Sequence, residues 1–367
     1  MSIRSIAILG AGHGGYAAAA DLTRRGFEVR LQARNAERLA PIRASGGIEV
    51  HGVHEGFVKV DRTTTSVAEA IEGADLVLLP VPGTAFADYA AELAPVHRPD
   101  VPIFLCPGHT GGGLHFLHEL RRAGYGKPIK TCESVTLAYI CRMAGPGTVD
   151  IFSYVKELAF AALPGKHAAE LYELMKPVYP EITPARDVLE TAFANLNAVF
   201  HPPGMIMNTG WIEHTQGNFL FYREGITAGV GRVAQAVDEE RIAVARALGL
   251  EVPTFLEAFY RKGITSRVGF ESGSIARACF ESEPNRKIKC PSSLDDRYIH
   301  EDVGFGLVPF AAFGELAGVR TPAIDALITL ADIATGIDYR STGLTLEKMG
   351  LVGRLPTELP ALLEEGP

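Results

Sequence analysis

Cysteine is sparse and unpaired in this chain: five residues, at positions 106, 132, 141, 279 and 290, widely spaced and with no Cys-x-x-Cys pair. An odd count without ligand spacing argues against a disulfide framework and a zinc site. It reads as reduced thiols packed as small hydrophobes. Long apolar runs are missing too. None reaches the ~18 residues that a membrane span requires, and the apolar stretch at 3–8 is too short for a signal peptide. The expectation is a soluble, cytoplasmic protein without membrane contact. No block of Lys and Arg is present, and 35 basic residues against 43 acidic give a net charge of −8, which argues against nucleic acid as a partner. Repeats and low-complexity tracts are absent. A composition of 47% hydrophobic and 21% charged residues is that of a globular protein rather than a disordered or fibrous one. The 367 residues suffice for two domains with real cores.

What is present changes character along the chain. In the first half, apolar runs of strand length occur at 6–9, 29–31, 76–79, 103–105 and 129–132, with helix-period segments at 16–25, 36–44 and 113–123 between several of them. Strand alternating with helix predicts a parallel sheet covered on both faces. Residues 135–163 read as extended hairpin-like segments turning at Gly145-Pro146-Gly147. After Pro184 apolar residues recur at helical spacing, in 188–200, 230–248, 254–262, 307–317 and 324–334, and strand-like alternation nearly vanishes. The division is therefore 1–184 for an α/β doubly wound domain and 185–367 for a mostly α-helical one, with the tail 355–367 peripheral.

Gly10-Ala11-Gly12-His13-Gly14-Gly15 satisfies G-x-G-x-x-G, follows a strand, opens a helical run and is succeeded by a second strand. That is the context a dinucleotide-binding turn requires. Gly10 permits the tight turn, Gly12 lets the backbone approach a pyrophosphate and Gly15 lets helix and strand pack, with the anion on the helix N-terminus. The second strand then ends Leu31-Gln32-Ala33-Arg34-Asn35, with no carboxylate for a ribose 2′-hydroxyl. Arg34 suits a 2′-phosphate, so NADP(H) is expected over NAD(H), which stays possible; the bland reading is an arginine solvated at a helix start. Two further loops follow strands, at 80–83 and 106–113, and place Pro82 and Gly108 beside the dinucleotide. His109 in the second loop contacts cofactor or substrate, or is an exposed loop histidine.

The stretch Asn195-Leu196-Asn197-Ala198-Val199-Phe200-His201-Pro202-Pro203 sets a histidine, two asparagines and two prolines into an apolar helical run. Proline disfavours helix for the residue before it, so His201 is expected at a helix break with its ring facing a cavity. Imidazole titrates near neutrality and can give or take a proton there. The alternative is a hydrogen-bonded core histidine. A second polar cluster, Asp295-Asp296-Arg297-Tyr298-Ile299-His300-Glu301-Asp302, leads into the apolar stretch 303–313. A carboxylate at that boundary, in Glu301-Asp302, can orient an imidazole, and Arg297 can hold a carboxylate with two bonds. The alternative is a solvated charge run.

Together these residues resemble the opine dehydrogenases of the octopine dehydrogenase family, over nearly the whole chain. The likeness is greatest to the bacterial N-(1-carboxyethyl)-norvaline dehydrogenase type, which has similar length. The resemblance is carried by the glycine motif at 10–15, Pro-Gly-x-Thr-Gly-Gly at 107–112, Tyr139-x-Cys141-Arg142, and Asn195-x-Asn197-Ala-Val-x-His201-Pro202. It continues in Tyr222-x-Glu224-Gly225-Ile226-Thr227, Val237-Asp238-x-Glu240-Arg241 and Arg297-Tyr298-x-x-Glu301-Asp302-Val303. It implies a Rossmann-type nucleotide domain followed by a helical substrate domain. It also implies a reaction: an α-keto acid condenses with the amine of an amino acid, and the nicotinamide reduces the imine to an opine. In this likeness His201 is the general acid/base, Asp302 its orienting partner, Arg297 the keto-acid carboxylate ligand and Asn197 a positioning residue. The site lies between domains whose closure excludes water, no metal takes part, and base rates give a homodimer. Trp211, His214, Phe219, Phe221 and Tyr222 line an amino-acid pocket or are helix core. Two departures stand out: the acidic cofactor residue is missing, and His109 occupies a loop where a small residue is expected.

Other readings stay open. Ketopantoate reductases and glycerol-3-phosphate dehydrogenases also join a nucleotide domain to a helical one, but they rely on a catalytic lysine, and no lysine here has that context. A nucleotide sensor would bind NADPH without turnover and tolerate loss of His201. A metal-binding opine product is a third variant, though no histidines have ligand spacing.

Overall fold

The computed structural model describes residues 2–367. The chain divides into two compact units: one takes the chain up to Thr191 together with Pro360–Pro367, the other is Ala192–Leu359. The strands are β1 (Ser5–Leu9), β2 (Glu28–Gln32), β3 (Gly47–Gly52), β4 (Gly56–Lys59), β5 (Thr63–Thr64), β6 (Leu76–Leu79), β7 (Ile103–Leu105), β8 (Thr131–Ser134), β9 (Tyr139–Gly145), β10 (Thr148–Tyr154), β11 (Leu158–Leu163) and β12 (Ile182–Pro184). All lie in the first unit. Eight form one sheet in the order β12-β11-β8-β7-β6-β1-β2-β5. The central run from β8 to β5 is parallel, and β11 joins β8 antiparallel. The strands β1, β6 and β7 are wholly buried because helices cover both faces, which is why they read as continuous apolar runs. This is a doubly wound α/β nucleotide-binding fold.

A second sheet, β4-β3-β10-β9, goes beyond the hairpin that the sequence suggests. Its hairpin β9–β10 turns at Gly145–Gly147 as the sequence suggests, but β10 also pairs with β3, about a hundred residues earlier. The sheet is anchored on the helix His13–Arg24. At that helix's start, His13 Nδ1 accepts from Met143 N at 2.8 Å. Two turns on, the buried Asp21 carboxylate accepts from the Tyr139 and Tyr154 hydroxyls at 3.1 and 2.7 Å. A buried carboxylate is tolerated there because both oxygens are bonded.

The second unit is helical, and no β-strand follows Pro184 among the described residues. Residues 188–200, read from the sequence as one helix, are two, Val188–Phe193 and Asn197–Ile206. The expected helix break at His201 is absent. Pro202 and Pro203 lie inside Asn197–Ile206, and the interruption falls at 194–196 instead. Proline costs a helix its bond to the carbonyl four residues back. Here that carbonyl comes from the helix's first turns, and Asn195 Oδ1 begins the helix by accepting from Asn197 N at 3.1 Å. The compact units also differ from the boundary expected at 184. The pair β11–β12 keeps residues to 184 in the first sheet, and the C-terminal helix Leu359–Glu365 buries Leu362 and Leu363 rather than lying loose. Lys166 pairs with Glu365 in the same unit.

Five cysteines are free, four of them buried. Among the described residues no group of His, Cys, Asp and Glu is arranged to hold a metal ion, and no helix is long and apolar enough to cross a membrane.

Candidate active site

The glycine turn in the first unit is built as its sequence requires. Gly10 has φ +116°, and a Cβ there would lie 2.3 Å from Val81 Cγ1. A Cβ on Gly15 would fall 1.8 Å from the Gly10 carbonyl oxygen, and one on Gly14 2.7 Å from Leu137 Cδ2. A Cβ on Gly12, by contrast, would meet nothing within 4 Å. Gly12 is the N-cap of His13–Arg24 and offers no side chain to cap it. Open space in front of an uncapped helix start is what a pyrophosphate needs. The residues present therefore fit a dinucleotide.

The flanking residues are less free than the sequence suggests. His13 is engaged by Met143, and its accepting Nδ1 places the proton of a neutral ring on Nε2. Together with Arg38 it lines a cavity of about 420 Å³. Arg34 sits over the Tyr89 ring at 5.3 Å and donates to Asp88. Pro82 is the N-cap of the 3₁₀ turn Gly83–Ala85. Gly108 N donates to Ser134 O at 2.8 Å, and a Cβ on Gly108 would strike Glu133. His109 is buried rather than exposed, with φ +59° and Nε2 3.2 Å from Val81 O.

Glu133 carries no sequence signal of a role. It lies in β8 beneath the glycine loop, 1% exposed, and Thr191 Oγ1 bonds its Oε1. Burial pushes its carboxyl up to about 8, against the pull of Thr191 and His109, while Asp187 pushes the same way as burial. The folded protein thus keeps this proton to about pH 8, whereas the unfolded chain loses it from about its ordinary value of 4.5. The folded state binds more protons across that window, so this contribution to stability is full below pH 4.5 and is lost as pH rises through 8. Urea midpoints at pH 5 and pH 8.5 should differ less in Glu133→Gln than in the parent. An equal difference in both proteins would show that Glu133 is ionised in the fold.

In the second unit the structure brings His201 and Asp302 together. His201 Nδ1 is 2.7 Å from Asp302 Oδ2, and both side chains are 4% exposed. The imidazole stacks on Tyr298 with ring centroids 3.6 Å apart and planes 10° apart, and packs edge-on to Phe221. Tyr298 and Asp302 lie four positions apart on the helix Arg297–Asp302, so one helical face holds the ring by stacking and by hydrogen bond. His201 Nε2 is buried and no protein atom bonds it. A buried polar atom left so costs free energy unless a ligand satisfies it.

The remaining acidic residues of the 295–302 cluster each have a partner, although Asp295 stays exposed to solvent. Asp296 caps the helix through Tyr298 N at 2.9 Å, and Asp295 bonds His300 at 2.8 Å. Arg297, half exposed, has Nε 3.3 Å from Glu301 Oε2. Asn197 is partly exposed at the start of the helix that carries His201. Two π-helical turns flank the site, Phe221–Gly225 and Val303–Leu307. Small residues let them approach: a Cβ on Gly306 would lie 2.7 Å from Ala198 Cβ, and one on Gly204 2.5 Å from Phe221 Cζ. Phe221 and Tyr222 are thus core beside the histidine, whereas Trp211 stacks with Phe219 as a separate pair. A larger cavity of about 980 Å³ is lined by residues from Val308 to Gly353, none of them His201, Asp302, Arg297 or Asn197.

A nucleotide-binding unit followed by a helical unit that holds a buried His–Asp pair is the layout of a two-domain dehydrogenase. Comparison with known proteins makes the class specific. Residues 184–335 match the family described as NAD/NADP octopine/nopaline dehydrogenase, alpha-helical domain. Residues 5–103 match that described as NADP oxidoreductase, coenzyme F420-dependent. An opine dehydrogenase of Arthrobacter sp. (strain 1C) is 35% identical over 95% of this chain and 96% of its own. Among solved structures, octopine dehydrogenase with NADH and L-arginine covers 99% of this chain and 98% of its own at TM-score 0.76 and 21% identity. NADP⁺-bound yersinopine dehydrogenase gives the same coverage at TM-score 0.72 and 16% identity. The chain belongs to the octopine/nopaline dehydrogenase family and is an NAD(P)-dependent oxidoreductase of the opine dehydrogenase type.

Proposed function

We propose that the protein joins an α-keto acid such as pyruvate to the amino group of an amino acid by NAD(P)H-dependent reduction, giving an N-(carboxyalkyl)amino acid, and runs the reverse oxidation, with NADP(H) preferred over NAD(H). The observation that carries this reading is His201: one ring nitrogen is held by Asp302 and the other is buried without a protein partner. The substrate class is supported by related structures described with L-arginine and with pyruvate.

When bound, the nicotinamide supplies or accepts the hydride. Proton transfer belongs to the protein. With Nδ1–H donated to Asp302, Nε2 of neutral His201 carries the lone pair. Nε2 takes one proton from the substrate ammonium, freeing the amine to add to the keto carbon. A second proton passes from the adding nitrogen to the oxygen. The imidazolium then returns its proton to the carbinolamine hydroxyl, which leaves as water, and the protonated imine remains. Asp302, buried beside the ring, stabilises the imidazolium between the two transfers. Arg297 offers paired N–H donors to the keto-acid carboxylate, with Glu301 steadying its Nε. Asn197, at the start of the helix that carries His201, positions substrate.

The test is a screen of NADPH and NADH oxidation with pyruvate or oxaloacetate against the common amino acids. Oxidation is expected only when both substrates are present. Oxidation with a keto acid alone would make the protein a hydroxy-acid dehydrogenase, and no oxidation in any pairing would favour a nucleotide-binding sensor.

A further inference from the structure

We infer that Asp88 sets how strongly this protein discriminates between NADP(H) and NAD(H), acting through its ion pair with Arg34. The inference rests on the reading of Arg34 as the residue facing the 2′ position of the adenosine ribose.

The end of β2 has no side chain to offer a ribose. Gln32, its last residue, is fully buried; its Nε2 donates to Thr65 O at 3.2 Å and its Oε1 accepts from the Tyr89 hydroxyl at 3.1 Å. Ala33 follows, and then Arg34. The carboxylate missing from this strand end reaches the same corner from a different element. Asp88 lies on the helix Phe86–Leu93, after β6, and its Oδ2 accepts from Arg34 Nη1. Tyr89, the next residue on that helix, lies under the guanidinium and is itself tied to Gln32, so the arginine is held on two sides. Glu92, one turn further along, adds negative field at Arg34, whose own proton affinity is raised chiefly by the bond to Asp88. The side chains of Arg34 and Asp88 are 45% and 60% exposed, so a competing anion in solution can reach the pair.

The pair treats the two cofactors unequally. A phosphate monoester on the ribose has to draw Arg34 away from Asp88 and then remain near the displaced carboxylate, a like charge. A 2′-hydroxyl carries no charge and can hydrogen-bond to the pair as it stands, so the Arg34–Asp88 bond survives. Asp88 therefore weakens binding of the phosphorylated cofactor selectively, and the arginine that favours NADP(H) is partly neutralised before the ligand arrives. Exposed ion pairs are individually weak, so the effect is a graded preference rather than exclusion.

The experiment is a cycle of Asp88→Asn, Arg34→Gln and the double variant in the full-length protein. It reads the ratio of kcat/KM for NADPH to that for NADH, and competition by adenosine 2′-phosphate and adenosine 5′-phosphate. Asp88→Asn should raise the ratio by roughly fivefold to twentyfold: one exposed ion pair accounts for about the lower figure and removal of the like charge for the rest. The change should lie in KM for NADPH and not in kcat, with adenosine 2′-phosphate gaining potency and the 5′-phosphate not. In the Arg34→Gln background the same substitution should raise the ratio far less. An unchanged ratio in Asp88→Asn, or an equal rise in both backgrounds, would overturn the role of Asp88. If Arg34→Gln alone leaves the ratio unchanged, the reading of Arg34 fails and this inference fails with it. If Arg34→Gln lowers the ratio and Asp88→Asn does not raise it, only the inference about Asp88 fails.

Discussion

Replacing His201 by Asn should lower kcat by about 10²–10⁴-fold, the usual contribution of a positioned acid/base group, while NADPH still quenches or enhances protein fluorescence on binding. The reasoning starts from the two ring nitrogens. Nδ1 has Asp302 at 2.7 Å, and Nε2 is buried with no protein partner. A histidine conserving the fold alone would satisfy both. Asparagine retains a donor that can reach Asp302 but presents no lone pair that can cycle a proton at the position of Nε2. Asp302→Asn should also reduce kcat, because an amide can present its NH₂ to Nδ1 and so trap the ring in the tautomer with its proton on Nε2. The double variant should lose little more than His201→Asn, since residues acting as a unit are not additive. A His201→Asn protein within tenfold of the parent kcat, with an unaltered thermal melt, would remove the histidine from the reaction.

Much of the nucleotide unit is legible because its requirements are local. A turn in which one Cβ would collide with the Gly10 carbonyl and another with Val81 can be written only with glycine. Strands buried on both faces announce themselves as unbroken apolar runs, and β6 and β7 fall at the residues expected. The second sheet is illegible for the opposite reason. Its β3–β10 pairing joins segments about a hundred residues apart, and no local pattern records which strand a segment will meet. Glu133 is one carboxylate in a short strand, and what buries it is the pair of glycines at 108 and 113, which leave room for nothing else. Arg34 shows the same limit at a single side chain. Its position after β2 is visible in the chain, but its partner stands 54 positions away, on the helix Phe86–Leu93. The pairing of His201 with Asp302, 101 positions apart, became visible only through family likeness. The helix break assigned to Pro202 failed because proline's preference is a local penalty that tertiary packing overrides: Gly204 and Gly306 let the helix pack tightly on both flanking π turns.

Arg241→Met should destabilise the protein by about 3–5 kcal/mol, the cost of leaving a buried charge unpaired, measured as the shift in urea unfolding of the second unit. Arg241 is the largest fully buried side chain, and each arm of its guanidinium is assigned. Nε and Nη2 reach Asp238 Oδ1 at 2.9 and 2.6 Å, Nη2 also reaches Pro253 O at 2.8 Å, and Nη1 donates to the Phe193 carbonyl. Asp238 in turn accepts from Phe255 N at 2.8 Å through its other oxygen. One turn of the helix Ala228–Ala247 thereby fastens the start of the helix Phe255–Arg261 and the end of the segment that precedes Asn195. The neighbouring Glu240 does the same for a third helix, accepting from Ala323 N and Ile324 N at 2.7 and 3.0 Å. Asp238→Leu alone should be as damaging as Arg241→Met, because it strands the guanidinium. The double variant should cost clearly less than the sum, since it removes both charges and leaves apolar volume in their place. Strict additivity would mean that the two residues act separately, through the backbone carbonyls and the Phe255 N–H. Loss of Arg241 should also reduce activity beyond the unfolded fraction, because its bond to Phe193 holds the chain four residues before Asn197, where the helix that carries His201 begins.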